Sequence, residues 1–160
     1  MRPSRPTKPA PPAQARRGVL TLLPAGERRY PDSPDRARLE VFRNPRPGRP
    51  YAIRFDCPEF TALCPITGQP DFGVITLEYT PRAWCVESKS LKLYLFSFRS
   101  QGTFHEEAVN RILDDVVRAC RPRWARVTGA FRPRGGIALT VAAEYPAARA
   151  GRKNGAGPKP

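Results

Sequence analysis

The chain has 160 residues, 40% of them hydrophobic, and carries a formal charge of +14, which suits a single domain with a modest core. No apolar run approaches the roughly 18 residues that mark a membrane-spanning helix, and the basic start lacks the apolar stretch of a secretory signal. A cytoplasmic protein is expected, with its four cysteines held as thiols rather than disulfides.

In chain order, residues 1–30 come first. They hold Arg2, Arg5, Lys8, Arg16 and Arg17 among many prolines and alanines, a composition that cannot bury enough apolar surface to offset chain entropy. Residues 147–160 read the same way, with Arg149, Arg152, Lys153 and Lys159. The first 17 and the last 12 residues hold these nine cations and no acid, which leaves +5 of the formal +14 for residues 18–148. The body, residues 31–146, is therefore only mildly basic. The ends are read as solvated tails, with weak attraction to polyanions as the alternative. Gly18–Pro24 is a short apolar patch inside the first tail.

Folding begins near Arg38. Leu39, Val41 and Phe42 make a short extended piece, and Asn44–Pro50 is turn chemistry throughout. Tyr51, Ile53 and Phe55 alternate with polar neighbours as a half-buried strand does, and Pro58 closes that strand. The segment Phe60–Phe72 (FTALCPITGQPDF) follows. Pro65, Gly68 and Pro70 keep it from being regular, so Cys64 and Asp71 are expected on one stiff loop. Phe72–Thr80 is a second strand, with Ile75, Leu77 and Tyr79 on one face. The two strands form a hairpin-like pair.

Trp84–Gly102 is ambiguous. Leu91, Leu93 and Leu95 fit a strand, whereas Leu91, Tyr94, Leu95 and Phe98 fit a helix. Phe104, Ala108, Val109, Ile112, Leu113, Val116, Val117 and Cys120 form an unbroken stripe at helical spacing. Thr103 and Glu106 match a capping box at its start, and Pro122 ends it. Two more strands follow, carrying Val127, Gly129 and Phe131, then Ile137, Leu139 and Val141. Arg132–Gly136 is their hairpin connection. The order strand pair, helical region, strand pair is α+β with an antiparallel sheet. Its open edges and second face call for oligomerisation.

The chemistry-bearing residues are few. Cys120 lies on the helix stripe, and Cys57 and Cys85 have no partner at metal-ligand spacing. With no CxxC and one histidine, a zinc site is not expected. Only Cys64 sits among polar, conformationally fixed neighbours, and it is either an inert loop thiol or a nucleophilic thiolate, which requires such a setting. Asp71 is either a turn cap or a general acid. Glu106 either completes the capping box or, with His105, grips a ligand through its carboxylate. Glu87, Ser88, Lys89, Ser90 and Lys92 are either a solvated helix start or an anion and substrate site, and Arg132 and Arg134 could add phosphate contacts.

Together, CPITGQPDF, VESKSLKLYLFSFRSQGTFHEE and FRPRGGI resemble the 7-cyano-7-deazaguanine reductases, NADPH-dependent nitrile reductases of queuosine biosynthesis, in their short single-module form. The resemblance covers residues 38–145. It implies the tunnelling fold (T-fold) shared with GTP cyclohydrolase I, an antiparallel sheet with two helices on one face in the order ββααββ. It resolves the Leu91–Phe98 ambiguity in favour of helix. It further implies a barrel-forming homo-oligomer, a decamer of two pentamers. It implies that Cys64 adds to the nitrile as a covalent thioimide and that Asp71 donates protons. Val86, Glu87, Ser88, His105 and Glu106 would bind 7-cyano-7-deazaguanine (preQ0). Lys89, Lys92 and Arg134 would hold phosphates of NADPH, two of which are consumed in making the aminomethyl product preQ1. No metal is required by that chemistry. The missing glycine-rich nucleotide fingerprint is consistent with a fold that has no such domain. The alternatives are a zinc-dependent T-fold hydrolase of pterins or purines, and an RNA-binding protein acting through its tails. Direct RNA binding is not expected, for want of an RNA-binding motif.

Overall fold

The structure, a computed structural model, describes residues 30–146. The two tails and the Gly18–Pro24 patch lie outside the described residues. Six strands and two helices follow in the order β1 (Val41–Arg43), β2 (Ile53–Leu63), β3 (Pro70–Thr80), β4 (Trp84–Val86), α1 (Ser88–Phe96), a 3₁₀ turn (Ser97–Ser100), α2 (His105–Cys120), β5 (Trp124–Arg134) and β6 (Ile137–Tyr145). Strands β2-β3-β5-β6 form one antiparallel sheet in that spatial order. β1 and β4 form a separate two-stranded sheet, an addition to the single sheet read from the sequence.

Period-2 alternation decides which face of the large sheet is covered. Ile75, Leu77 and Tyr79 of β3 and Ala125, Val127 and Phe131 of β5 are buried. Their cross-strand partners are in register, with Ile75 opposite Gly129 and Leu77 opposite Val127. α2 covers this face with Ala108, Val109, Ile112, Leu113, Val116, Ala119 and Cys120. The ambiguous stretch is helical, and Leu91, Tyr94, Leu95 and Phe98 are all buried at the i, i+3, i+4, i+7 positions. Each such side chain contributes roughly 1.5–3 kcal/mol on burial. The other face carries Arg54, Asp56, Glu78, Arg126 and Glu144. Arg54 bonds Asp56 and Glu78, and Arg126 pairs with Glu144.

Several local expectations are corrected. The strand containing Phe55 does not stop at Pro58 but runs on to Leu63. Cys57 pairs with Ile75 and Phe60 with Gly73, so one extra residue is accommodated in a bulge around Pro58. A proline cannot donate to the ladder and is tolerated at such a place. The bulge reverses the phase of the strand. Ile53, Phe55 and Cys57 face the helices before it, and Phe60 and Ala62 after it. β5 does the same around Pro133, where Phe131 pairs with Leu139 and Arg134 with Ile137. The hairpin turn is therefore only Gly135–Gly136, both with positive φ, which favours glycine.

α2 begins at His105 with Phe104 as its N-cap and no side-chain cap bond, so there is no capping box. Phe104 is exposed rather than part of the buried stripe. The helix ends at Cys120, where Arg121 turns left-handed (φ 46°) before Pro122. No helix among the described residues is long and apolar enough to cross a membrane.

Candidate active site

The loop between β2 and β3 is Cys64–Gln69, closed at its base by Cys64 itself. Its N–H donates to the Gln69 carbonyl (2.8 Å), and its carbonyl accepts from the Gly68 N–H (2.9 Å). Gly68 supplies the positive φ, 69°, that this tight return needs. The preceding residue is held as firmly. The Leu63 N–H donates to the Gln101 carbonyl and its carbonyl accepts from the Thr103 N–H. A side chain on Gly102, between those two, would press to 3.3 Å from the Pro65 Cα. The cysteine loop and the start of α2 are thus packed backbone to backbone.

Within this loop the Cys64 thiol is lowered to about 6. The Thr67 hydroxyl is the largest cause, followed by the Thr67 and Ile66 backbone N–H groups and then the Arg134 guanidinium. A thiolate surrounded by donors is the reactive form of cysteine. Burial has the opposite effect elsewhere in the chain: it raises Cys57 and pushes Cys120 up to about 12. Cys64 is only partly exposed, at the mouth of the hairpin.

Asp71 is not on the loop. It is the second residue of β3, paired with Ala62 and only 5% exposed. Its phase turns it toward the helices, as the β2 bulge turns Ala62. Arg134 reaches it from β5, with the guanidinium 2.7 Å from Asp71 Oδ1 and a bond to the Gln69 carbonyl (3.2 Å). On its other side His105 Nε2 lies 3.3 Å from Asp71 Oδ2. The alignment is not that of a hydrogen bond, so Nε2 is buried without a partner. Thiolate, carboxylate, imidazole and guanidinium therefore meet at one end of the sheet. Glu106, next on α2, is exposed there, and no capping duty occupies its carboxylate.

The other expected site residues lie elsewhere in the protomer. The Val86 N–H donates to the Tyr79 hydroxyl (2.9 Å), and Tyr79 is eight residues beyond Asp71 on β3, roughly 26 Å along an extended strand. α1 and the 3₁₀ turn run back from that far end to Gln101, a rise of about 21 Å. Val86 and Glu87 are buried, whereas Ser88, Lys89 and Lys92 are exposed on the first turns of α1. Glu87 is no solvated residue. Its two carboxylate oxygens accept the Lys89 and Ser90 N–H groups at 2.8 and 2.7 Å and cap the helix. The Ser90 hydroxyl in turn donates to the Glu87 carbonyl and accepts from the Glu40 N–H. One protomer thus carries two clusters, a thiol end and a signature end.

A family model described as QueF-like protein matches residues 70–150. The NADPH-dependent 7-cyano-7-deazaguanine reductase of Anaeromyxobacter sp. (strain Fw109-5) is 59% identical over 107 residues, 67% of this chain and 88% of that one. The enzyme of the same name from Nitrosococcus oceani is 58% identical over 115 residues, 72% of this chain and 88% of its own. The chain belongs to this reductase family. Its fold also resembles the crystal structure of the archaeosine synthase QueF-Like in the apo form, with TM-score 0.56 and 27% identity over 60% of this chain and 94% of that one.

Sequence reasoning about this reductase missed three contributors. Thr67 was not singled out, although a hydroxyl three residues after a loop cysteine is within reach of its sulfur. Gly102 was given no role, although its lack of a side chain is what lets Pro65 approach. Phe131 looked like an ordinary core residue, yet His105 stacks on its ring at 3.8 Å between centroids and 13° between planes. The Gly129-Ala-Phe131 spacing was the available signal, because a glycine two residues from an aromatic on one strand face leaves room for the ring to lie flat. Among the described residues no three metal-ligating side chains converge.

Proposed function

We propose that this protein reduces the nitrile of 7-cyano-7-deazaguanine to the aminomethyl group of preQ1, in the cytoplasm, as a step of tRNA queuosine biosynthesis. The observation that carries the proposal is the Cys64 thiol, lowered to about 6 inside a ring of donors beside a buried carboxylate. The names of the relatives supply the electrophile.

A nitrile is a weak hydride acceptor. Addition of the Cys64 sulfur to its carbon forms a C–S bond and turns C≡N into C=N, with the nitrogen taking a proton. This thioimide divides one difficult reduction into two easier ones. Asp71, on the buried side of the thiol, is placed to deliver protons to that nitrogen. Arg134 steadies both the carboxylate and the thiolate. Glu106 and His105, at the exposed start of α2, are assigned to the deazaguanine edge and ring. Two molecules of NADPH supply the hydrides, the first releasing the C–S bond to give an imine and the second giving the amine. Lys89 and Lys92 on α1, with the half-exposed Arg134, are cations that suit its phosphates. The N–H groups at the α1 start are taken by Glu87, so phosphate recognition there falls to side chains.

The separation of the thiol end from the signature end supports an oligomeric enzyme of the T-fold barrel type. Val86, Glu87 and Ser88 can touch a base bound at Cys64 only if a second copy brings its signature end there. A ring of heterologous contacts meets this requirement, and a decamer of two pentamers is the assembly proposed.

The test is intact-mass measurement after mixing the protein with 7-cyano-7-deazaguanine in the absence of NADPH. Wild type is expected to gain the mass of one substrate per chain, and Cys64→Ala none. An adduct that survives in Cys64→Ala would name another nucleophile.

A further inference from the structure

The one histidine of the chain is oriented in an unusual way. Histidines in sites are commonly fixed by hydrogen bonds at their nitrogens, yet His105 Nε2 is buried with no partner. What the ring does have is a face-to-face contact with Phe131, centroids 3.8 Å apart and planes within 13°.

Phe131 is in turn seated by two glycines. Gly73 is its cross-strand partner, and Gly129 precedes it by two residues on the same strand face. A Cβ on Gly73 would fall 2.9 Å from the Phe131 ring. A Cβ on Gly129 would fall 2.8 Å from it, and 2.7 Å from Val109 of α2. Neither position tolerates a side chain without moving the ring. Phe60 abuts the ring edge-on at 6.2 Å. The cradle leaves Phe131 5% exposed and presents one flat face to α2, where His105 lies.

We propose that Phe131, held by Gly73 and Gly129, is a positioning residue that fixes the plane of His105 so that its Nε2 stays beside Asp71. The inference rests on the proposed reduction for its kinetic consequence, though its geometric part stands alone. Stacking orients the ring without occupying a nitrogen, and it leaves Nε2 beside the Asp71 carboxylate. Phe131 itself touches no reacting atom and acts through His105.

The first test is spectroscopic and requires no substrate. The single histidine gives unambiguous imidazole NMR signals. In wild type the Phe131 ring current moves them upfield of a free imidazole, and in Phe131→Leu they return toward it. Signals unmoved by Phe131→Leu would overturn the stacking geometry. The second test is a double-mutant cycle on kcat/KM with the cyano substrate. Phe131→Leu is expected to cost about threefold to tenfold, the range of one aromatic contact, mostly in KM. Combined with His105→Ala it should add nothing further, because both remove the same interaction. Losses that multiply would reduce Phe131 to a structural role. Should Phe131→Leu fail to fold, Phe131→Met fills the same space without a ring and carries the same two expectations. Failure of wild type itself to turn over the cyano substrate would sink the proposed reduction while leaving the NMR result to judge the stacking.

Discussion

The lowered Cys64 thiol makes a prediction that ranks two residues against intuition. Arg134 carries a full charge and Thr67 only a hydroxyl, yet Thr67 is the larger cause of the shift. The structure gives the reason. Arg134 is committed to Asp71 at 2.7 Å and to the Gln69 carbonyl, so the sulfur faces a nearly neutral ion pair rather than a bare cation. The Thr67 hydroxyl acts on the sulfur from within the same loop and is committed to no opposing charge. A hydrogen bond to a charged group at a partly exposed site is worth about tenfold in an equilibrium constant. Thr67→Val, which keeps the shape and removes the donor, should move the inflection from about 6 to about 7. The thiolate is favoured above the inflection and lost as pH falls through it, so the variant loses reactivity on the acid side. At pH 7 alkylation by iodoacetamide would fall only about twofold, but at pH 6 about fivefold, since the thiolate share drops from about a half to about a tenth. Peptide mapping after a short pulse at each pH assigns the label, and Cys57 and Cys120 stay protonated because their thiols are raised. Arg134→Met should move the inflection less than Thr67→Val. A larger effect of Arg134→Met would refute the claim that Asp71 neutralises the guanidinium.

The remaining predictions probe the acid, the assembly and the strand register. Asp71→Asn should still form the Cys64 adduct but lose NADPH oxidation by about a hundredfold or more, the scale of general-acid loss; unchanged turnover would remove Asp71 from the mechanism. Mixing Cys64→Ala protomers with Ser88→Trp protomers, each inactive alone, should restore about one quarter of wild-type activity after subunit exchange if each site joins two copies. No recovery despite proven exchange would place the whole site in one chain. Deleting Glu59 should be tolerated, because the residue is absorbed by the β2 bulge and everything from Phe60 onward is anchored opposite Gly73. A folded deletion variant whose Cys64 no longer alkylates near pH 7 would show that the bulge itself shapes the site.

The parts of the fold legible in the sequence are those with one uninterrupted period. The α2 stripe from Ala108 to Cys120 is such a case, and so is the alternation Ile75, Leu77, Tyr79. The α1 region was illegible by pattern because its leucines satisfy both periods at once. Only packing on β2 and the β4 junction selects helix, and the family resemblance stood in for that information. The cap of α2 was misread because Thr103-Phe104-His105-Glu106 matches a capping box in spacing alone, while Thr103 is held in the β2-like bridge to Leu63 and the helix starts two residues later. At the site, Cys64 could be chosen by elimination among four cysteines. Its activation could not, because it comes from the Thr67 hydroxyl and two backbone N–H groups aimed by the loop's fold, and from Arg134 on a distant strand.

Asp71 was read onto a loop because Pro65, Gly68 and Pro70 break the pattern before it, whereas the bulges of β2 and β5 decide which face its neighbours occupy. Reading β2 by strict alternation, Ile53, Phe55 and Cys57 predict inward positions at 59, 61 and 63, which would send Cys64 outward. The alternation fails at Pro58, and a broken pattern beside a proline looks like the end of a strand. It is instead a change of phase within one. Phe60 and Ala62 resume the inward series, and Cys64 is the next member of it, across from Gln69 and one step from Asp71. On β5 the same thing happens at Pro133: Phe131 points inward, and after one extra residue Arg134 does so too and meets Asp71. Cys64, the nucleophile, lies six residues after Pro58, and Arg134, which steadies it, directly follows Pro133. In each strand the one extra residue shifts the phase, so that side chains on both sides of the bulge face the helices.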